Sequence, residues 1–142
     1  MDVRKNAEEY ISSHNIATLA TCAKGLPHAS TVEYANDGFV LFFSTNPESQ
    51  KAKNIKENRN VSLTIDEDYK DWTKIKGIQI DGIAEEITDE EEIKKAMDIY
   101  VTKFPFVVNF PPSPNRMYKI VPKKLYFLDY KKGFGHRDII EF

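Results

Sequence analysis

The side chains best suited to chemistry are concentrated in the stretch 40–55, VLFFSTNPESQKAKNI. A continuous apolar run, typical of a buried strand, leads here directly into the start of a helix. The junction carries three hydroxyl side chains, those of Ser44, Thr45 and Ser49. Because the first N–H groups of a helix lack internal partners and the helix dipole is positive at that end, this junction is suited to bind a phosphate or another anion. Lys51 or Lys53 would supply the countercharge.

The same residues also fit a purely structural role. Asn46 is placed to cap the helix and Pro47 to occupy its first position. Glu48 would then interact favourably with the helix dipole, and the two lysines would be solvated on the helix surface. The spacing of the residues leaves both interpretations open.

Other catalytic and metal-binding arrangements are poorly supported. The chain has no G-x-S-x-G motif, and its one cysteine, Cys22, lies in a predicted strand. The histidines His14, His28 and His136 do not show the spacing of a zinc site, so no metal site is predicted. The acidic residues in the stretch 66–71 lack the glycine of a calcium loop and are interpreted as solvated.

Composition limits the class of protein. With 142 residues, 41% of them hydrophobic and 30% charged, the chain fits one globular domain, 1–142. Its 20 basic and 22 acidic residues argue against nucleic acid and favour a small-molecule or protein partner. No apolar run approaches the roughly 18 residues of a membrane-spanning helix, and the N-terminus lacks the apolar core of an export signal. With a single cysteine, these features predict a cytoplasmic protein without a membrane partner.

Strands dominate the predicted elements, and helices are predicted at three places. The strand patterns lie at 16–23, 28–35, 39–44, 60–67, 75–87, 117–121 and 124–130, with Pro122 between the last two and a further apolar pair at 139–140. Helices are predicted at 3–14, at 47–58 and after a capping-box pattern that begins at Thr88. Gly82 lies inside a strand pattern and indicates a bulge or a bend. The order of the elements predicts a mainly β (α+β) fold, an antiparallel barrel with about three flanking helices.

Two segments in this order resemble the pyridoxamine 5'-phosphate oxidase-related family, the FMN-binding split β-barrels. They are NDGFVLFFSTNPESQKAKNIKENRNVSLTI and GIQIDGIAEEI. The Ser/Thr-rich strand end, the S-x-K helix start and the following N-x-x-V-x-L strand occur together, and the resemblance covers about Ile16 to Leu128. The tail at 133–137, Gly-Phe-Gly-His-Arg, resembles a short branch of the same family.

The resemblance implies a homodimer with FMN in a groove between the two barrels. The residues implied to line the flavin ring, largely through backbone groups, are Ser30, Thr31 and Val32. Those implied to reach the phosphate or the ribityl chain are Ser44 and Thr45, and those implied to hold the phosphate at the helix start are Ser49, Gln50 and Lys51. The residues implied to approach the partner subunit's flavin are Gln79, His136 and Arg137.

The resemblance implies a flavin-dependent oxidoreductase that acts on an unknown small molecule. The family's oxidase proper carries an arginine and a lysine where this chain has Ala29 and Tyr34, and the tail lacks its arginine-bracketed histidine motif. We therefore do not expect pyridoxamine phosphate oxidation, and we expect Lys51 to carry most of the charge at the phosphate. Two alternatives stay open: a non-catalytic haem- or flavin-binding protein, in which His14 or His136 ligates iron, and a dimeric barrel that has lost its cofactor.

Overall fold

Seven antiparallel strands form one sheet that closes on itself in this computed structural model, which describes residues 2–142. The strands are β1 (Ile16–Ala23), β2 (Leu26–Asp37), β3 (Val40–Thr45), β4 (Asn60–Asp66), β5 (Lys76–Glu86), β6 (Arg116–Asp129) and β7 (Arg137–Glu141). Their order across the sheet is β3-β2-β1-β4-β5-β6-β7, and β3 also pairs with β6. The first six strands therefore make a closed barrel, to which β7 is added beside β6. The predicted fold class, an antiparallel split β-barrel, is confirmed.

Three α-helices flank the barrel: α1 (Val3–Ser12), α2 (Gln50–Glu57) and α3 (Glu90–Lys103). Short 3-10 turns lie at Trp72–Lys74, Pro105–Asn109 and Tyr130–Lys132. The apolar faces of α1 and α2 pack into the barrel core, whereas α3 packs with a smaller cluster at the β3–β6 side. Within residues 2–142, no helix is both long and apolar enough to cross a membrane.

The interior of the barrel is filled by inward-facing side chains of neighbouring strands. One row across the sheet is formed by the successive partners Leu19, Leu63, Ile80 and Leu125. Each of these side chains is at most 2% exposed. Alternation along β1 and β4 places the intervening residues on the outer face, as the period of two in the sequence predicts.

The two strands predicted on either side of Pro122 are one continuous strand, β6, so this prediction is wrong. On one edge, β6 pairs with β3 as far as Ile120 and with β7 from Lys124 onwards. Pro122 lies between these two ladders, where its missing N–H leaves no partner unsatisfied. On the other edge it pairs with Gly82 beside a register shift, which confirms the predicted bulge. A Cβ on Gly82 would lie 2.7 Å from the carbonyl oxygen of Val121, so the close approach of the strands requires glycine.

The start of α2 also differs from the prediction. Its cap is Ser49, whose Oγ accepts a hydrogen bond from the N–H of Ala52 at 3.3 Å. Asn46 instead accepts from the N–H of Glu48 at 2.9 Å, which closes a turn before the helix. The prediction of Asn46 as the cap, with Pro47 in the first helical position, is therefore wrong, because the asparagine side chain is used locally in the turn.

A similar shift moves the start of α3 by one residue. Asp89, and not Thr88, is its cap, and Asp89 Oδ2 accepts from the N–H of Glu92 at 3.0 Å. A carboxylate at this position also interacts favourably with the helix dipole, which favours it over the neighbouring hydroxyl. The helix itself is confirmed, and it ends at Lys103, before Pro105 as predicted.

Candidate functional site

The barrel opens along one edge of β2. The ladder between β2 and β3 ends at the pair Tyr34–Phe43. Beyond this pair, residues 26–33 of β2 pair with β1 alone, whereas Ser44 and Thr45 of β3 pair with β6. Among the strands of residues 2–142, nothing pairs with this edge of β2, which we call the open edge. The three residues implied to line a flavin ring, Ser30, Thr31 and Val32, lie on it.

The side chains on the open edge have different surroundings. Val32 is buried in the core, and Thr31 is exposed on the outer face of the barrel. The Oγ atom of Ser30 is buried and has no hydrogen-bond partner within the described chain. Because a buried hydroxyl without a partner costs about 1–3 kcal/mol, a polar ligand atom at this edge would remove an existing penalty.

Three of the residues implied to bind phosphate converge at the start of α2. Thr45 Oγ1 lies 3.1 Å from Ser49 Oγ, and Lys51 Nζ donates to Thr45 Oγ1 at 3.4 Å. Thr45 is only 7% exposed, so the contact lies at the boundary of the core. We call these three residues the α2 corner. It places two hydroxyls and an ammonium group around a helix N-terminus, whose free N–H groups favour an anion.

The structure distinguishes the two lysines that the sequence left as alternatives. Lys53 Nζ lies 3.9 Å from Glu48 Oε2, and both side chains are largely exposed. Such a surface pair contributes little to stability. Lys51 contacts Thr45 instead, and within the described chain it has no carboxylate partner. The positive charge of the α2 corner therefore comes from Lys51.

Gln50 is engaged in a different polar group that fixes the helix. Its Nε2 donates to Asn54 Oδ1 at 2.8 Å, and Asn54 Nδ2 donates to Thr21 Oγ1 at 3.0 Å. Asn54 and Thr21 are 3% and 1% exposed, which makes this a buried connection between α2 and β1. Sequence analysis missed both residues, although each stands at an inward-facing position of its element. They join α2, the helix whose start carries Ser49 and Lys51, to β1.

The other residues implied to bind flavin lie on the outer face of the barrel. Gln79 pairs with Tyr126, and the guanidinium carbon of Arg137 lies 5.6 Å from the centroid of the Tyr126 ring. Thr31 belongs to the same cross-strand row as Gln79, by way of one residue on β1 and one on β4. At about 4.8 Å per strand, this places Gln79 roughly 14 Å from the open edge. One chain therefore does not bring Gln79 and Arg137 together with Ser30–Val32.

His136 lies in the turn before β7, next to a carboxylate. Its Nε2 is buried and 3.2 Å from Asp138 Oδ1, an ion-pair distance without hydrogen-bond geometry. Asp138 Oδ2 also accepts from Lys132 Nζ at 3.2 Å. Burial acts to raise the pKa of Asp138, but the contacts with Lys132 and His136 outweigh it and leave that pKa below its usual value. His136 is thus held beside an ionised carboxylate.

His14, the other histidine considered as an iron ligand, is engaged at both ring nitrogens. Nδ1 lies 2.7 Å from the carbonyl oxygen of Tyr10, and Nε2 lies 2.7 Å from Glu67 Oε2. The imidazole also stacks on the Tyr10 ring at a centroid distance of 4.0 Å. Across residues 2–142, no three or more His, Cys, Asp or Glu side chains are grouped to hold a metal ion.

The two positions that depart from the family's oxidase carry no positive charge. Ala29 is exposed, whereas Tyr34 is 1% exposed and its hydroxyl donates to the carbonyl oxygen of Ile11 at 2.6 Å. The basic side chain that contacts Tyr34 is Lys103, whose Nζ donates to the carbonyl oxygen of Tyr34 at 3.0 Å and lies 4.3 Å from its ring centroid. Burial lowers the pKa of Lys103 to about 8. Lys103 therefore secures the point where β2 and β3 separate.

Comparison with known proteins gives matches along most of the chain. The family described as pyridoxamine 5'-phosphate oxidase matches residues 3–129. General stress protein 26 of Bacillus subtilis (strain 168) is 30% identical over 64 residues, which are 45% of this chain and 46% of that protein. Pyridoxine/pyridoxamine 5'-phosphate oxidase of Ehrlichia ruminantium (strain Welgevonden) is 38% identical over 95 residues, 63% of this chain and 44% of that protein. The chain spans less than half the length of these two curated relatives.

Solved structures share the fold at lower sequence identity. A heme binding protein from Mycobacterium smegmatis matches with a TM-score of 0.78 and 20% identity, over 95% of this chain and 57% of that chain. General stress protein 26 from Bacillus anthracis str. Sterne matches with a TM-score of 0.75 and 18% identity over 100% of both chains. A FAD-binding protein from Mesorhizobium loti matches with a TM-score of 0.71 and 19% identity, over 88% of this chain and 92% of that chain. Proteins of this fold thus include one named as a haem binder and one named as a flavin binder.

The family match and the architecture agree. The match covers residues 3–129, which include all six strands of the closed barrel and the α2 corner. The motif that carries the resemblance, from Ser44 to Lys51, lies where β3 leaves β2. This chain belongs to the pyridoxamine 5'-phosphate oxidase family.

Proposed function

We propose that this protein binds FMN and acts as a flavin-dependent oxidoreductase on a small molecule. The observation that supports this most strongly is the convergence of Thr45, Ser49 and Lys51 at the N-terminus of α2. Two hydroxyls, one ammonium group and outward-facing N–H groups suit a phosphate monoester, which offers several acceptor oxygens and negative charge. The α2 corner is therefore the phosphate end of the proposed site.

The open edge of β2 is the proposed location of the flavin ring. Within the described chain, the backbone of Ser30, Thr31 and Val32 has no strand partner on this side, and the buried Oγ of Ser30 has no partner at all. A flavin ring carries both donors and acceptors along its edge, so it suits an unpaired strand. When bound, FMN supplies hydride or electron transfer, while the protein contributes binding, orientation and exclusion of water.

A second copy of the chain completes the proposed site. Gln79 and Arg137 lie on the outer face, away from the open edge of their own chain. If the outer face of one subunit covers the open edge of the other, these residues and His136 approach the partner's flavin. Ile16 and Ile139, which are 53% and 52% exposed on this face, are apolar side chains that such a contact would bury.

Sedimentation of the purified protein with and without FMN tests the dimer. We expect a dimer, and we expect Arg137→Ala to weaken FMN binding while the protein stays folded. A monomer that binds FMN with undiminished affinity after this substitution would refute the shared site but would leave the α2 corner intact.

Pyridoxamine phosphate oxidation is not the proposed reaction. Where the family's oxidase proper carries two basic residues, Ala29 has no charge and Tyr34 is buried with its hydroxyl bound to the backbone. The Ehrlichia relative that bears the oxidase name aligns over 63% of this chain, and that name describes the relative. We expect no turnover of pyridoxamine 5'-phosphate by the FMN-loaded protein in an oxygen-consumption assay.

Haem binding is the alternative suggested by the Mycobacterium smegmatis neighbour and by the histidines. To ligate iron through Nε2, His14 would have to leave Glu67, and His136 would have to leave Asp138. The flavin proposal requires no such rearrangement. The absorption spectrum of the purified protein separates the two: flavin bands with release of FMN on denaturation support the proposal, and a Soret band would contradict it.

Titration of the protein with FMN, followed by quenching of flavin fluorescence, tests the phosphate assignment. Lys51→Ala removes the ammonium group of the α2 corner, and we expect the affinity for FMN to fall at least about tenfold. Lys53→Ala is the matched control, because Lys53 lies two residues further along the same helix and faces Glu48. We expect its effect to stay within about twofold, as for an exposed surface pair. Equal losses in both variants, or none in Lys51→Ala, would remove Lys51 from the site.

A further inference from the structure

A second groove, of about 570 Å³, lies beside α2 and includes none of the three residues of the α2 corner. Its walls are the turn before α2, one face of α2 and the ends of β5 and β6. This volume is within the range of small-molecule sites in proteins. The groove is therefore large enough for a ligand of its own.

The floor of the groove is apolar and partly aromatic. Ala52, Ile55 and Tyr118 line it and are 5%, 3% and 3% exposed. The Tyr118 ring is stacked on Phe43 at a centroid distance of 5.3 Å, so it is fixed from below. A rigid floor of this kind suits the body of an aromatic or branched apolar ligand.

Two arginines at the rim are held in place by glutamates of β5. Arg116 Nη1 lies 3.3 Å and 3.4 Å from the two carboxylate oxygens of Glu86, and Arg59 Nη2 contacts Glu85. Each guanidinium group uses one nitrogen in these contacts, and its other donors have no partner within residues 2–142. Because a guanidinium group has five N–H donors in a planar fork, both arginines can donate to a second carboxylate.

The charge balance of the groove favours an anion of low charge. Four basic residues line it against three acidic ones, and two of the acids are already paired with the arginines. Lys56 is exposed at the rim and has no partner in the described part of the chain. A single net positive charge matches a monoanion, whereas the fixed glutamates would repel a more highly charged group.

We propose that this groove binds a small organic monocarboxylate with an aromatic or branched apolar body. The carboxylate lies on Arg59 and Arg116, and the body covers the floor. The site is separate from the proposed FMN site and does not depend on it.

The groove also contacts the elements that carry the α2 corner. Pro47 and Glu48 line it and lead directly into Ser49. Arg116 is the ladder partner of Thr45. A ligand in the groove therefore touches both chain segments from which the α2 corner is built, and its binding is placed to influence the position of the two hydroxyls.

An NMR titration of the full chain, without FMN, tests the proposal with benzoate as the probe. We expect saturable shifts at the amides of Lys53, Lys56 and Arg116. Benzylamine, which carries the same ring with the opposite charge, is the control ligand, and we expect it to cause no saturable shift. Shifts that do not saturate, an equal response to benzylamine, or shifts confined to the amides around Lys51 would each overturn the proposal.

Two substitutions extend this test to the arginines. In Arg59→Gln and in Arg116→Gln we expect the affinity for benzoate to fall at least about tenfold, since each loses a charged donor group. Lys94→Gln is the matched control, because Lys94 is exposed on α3 and, in residues 2–142, has no partner. Thermal unfolding confirms that each variant is folded. Wild-type affinity in both folded arginine variants would refute the assignment.

Discussion

The closed side and the open edge of the barrel are built differently. On the closed side, β1, β4, β5 and β6 pair with one another, and their inward side chains form the core row of Leu19, Leu63, Ile80 and Leu125. At the open edge, β2 and β3 separate after the pair Tyr34–Phe43, and β3 continues along β6. The same sheet therefore has one fully paired region and one that ends in free backbone groups.

Because of this difference, we expect the closed side to determine the stability of the fold and the open edge to determine ligand binding. The closed side satisfies its backbone groups within the sheet and its apolar side chains within the core. The open edge leaves backbone groups and Ser30 Oγ without partners in the described chain. A buried group without a partner, such as Ser30 Oγ, lowers stability until a ligand meets it. We therefore expect substitutions on the closed side to change unfolding and those at the open edge to change cofactor affinity.

The largest expected effect is on the closed side, in Leu63→Ala. Leu63 is 2% exposed and has core partners on both neighbouring strands. Removing its side chain leaves a cavity, and we expect the free energy of unfolding to fall by about 3 kcal/mol. Urea denaturation measures the loss. A fall of less than about 1 kcal/mol would show that this row does not form a tightly packed core.

An intermediate effect is expected from Lys103, which secures the boundary between the two regions. Its folded-state pKa of about 8 lies below the usual lysine pKa of 10.5, because burial disfavours the charged form. Between these values the unfolded chain binds more protons than the folded one, so stability rises with pH. We expect the free energy of unfolding to increase by about 1 kcal/mol from pH 7.5 to 9, where most tyrosines are still protonated.

Lys103→Met provides the comparison for this measurement. The variant lacks the titrating amine, so we expect its unfolding free energy to change less over the same pH range. Urea denaturation at several pH values measures both proteins. Identical pH dependence in the wild type and in Lys103→Met would show that the amine does not titrate in this window.

No loss of stability is expected at the open edge, in Ser30→Ala. Because Ser30 Oγ is buried without a partner in residues 2–142, its removal relieves a penalty and should raise the free energy of unfolding by about 1 kcal/mol. We expect the affinity for FMN to fall roughly fivefold, the loss of one neutral hydrogen bond. A large loss of stability with unchanged FMN affinity would reverse the comparison between the two regions.

The closed side could be predicted well from the sequence. Alternation in the stretches 16–23 and 60–67 gave strands within one residue of those observed, because both have one buried and one outer face. The bulge at Gly82 was also predictable, since glycine inside a strand pattern marks a close backbone approach. Pro122 was misleading because its tolerance depends on which strands lie beside β6, and residue order does not show this.

The residues of the site were predictable by type and only partly by role. Order along the chain indicated the hydroxyls of the α2 corner and a lysine beside them, but two lysines, Lys51 and Lys53, fitted equally well. The choice of Lys51 over Lys53 depends on which face of α2 meets Thr45, and the choice of Ser49 over Asn46 as the cap depends on the turn between them. These are three-dimensional relations that spacing does not fix.

The supporting residues could not be predicted. Thr21 and Asn54 come from separate elements and meet only when α2 covers the barrel end. Lys103 belongs to a helix whose sequence shows an amphipathic pattern, and its contact with the backbone of Tyr34 follows from packing. Such residues carry no local pattern, since their partners are distant in the chain.

The central claim is that the α2 corner binds the phosphate of FMN. Its most direct test compares the affinities of the wild type and of Lys51→Ala for FMN and for riboflavin, which differs from FMN only by lacking the phosphate. We expect the wild type to bind FMN at least about tenfold more tightly than riboflavin, and Lys51→Ala to lose most of this difference while its affinity for riboflavin stays the same. Equal affinities of the wild type for the two flavins, or an unchanged ratio in Lys51→Ala, would contradict the claim.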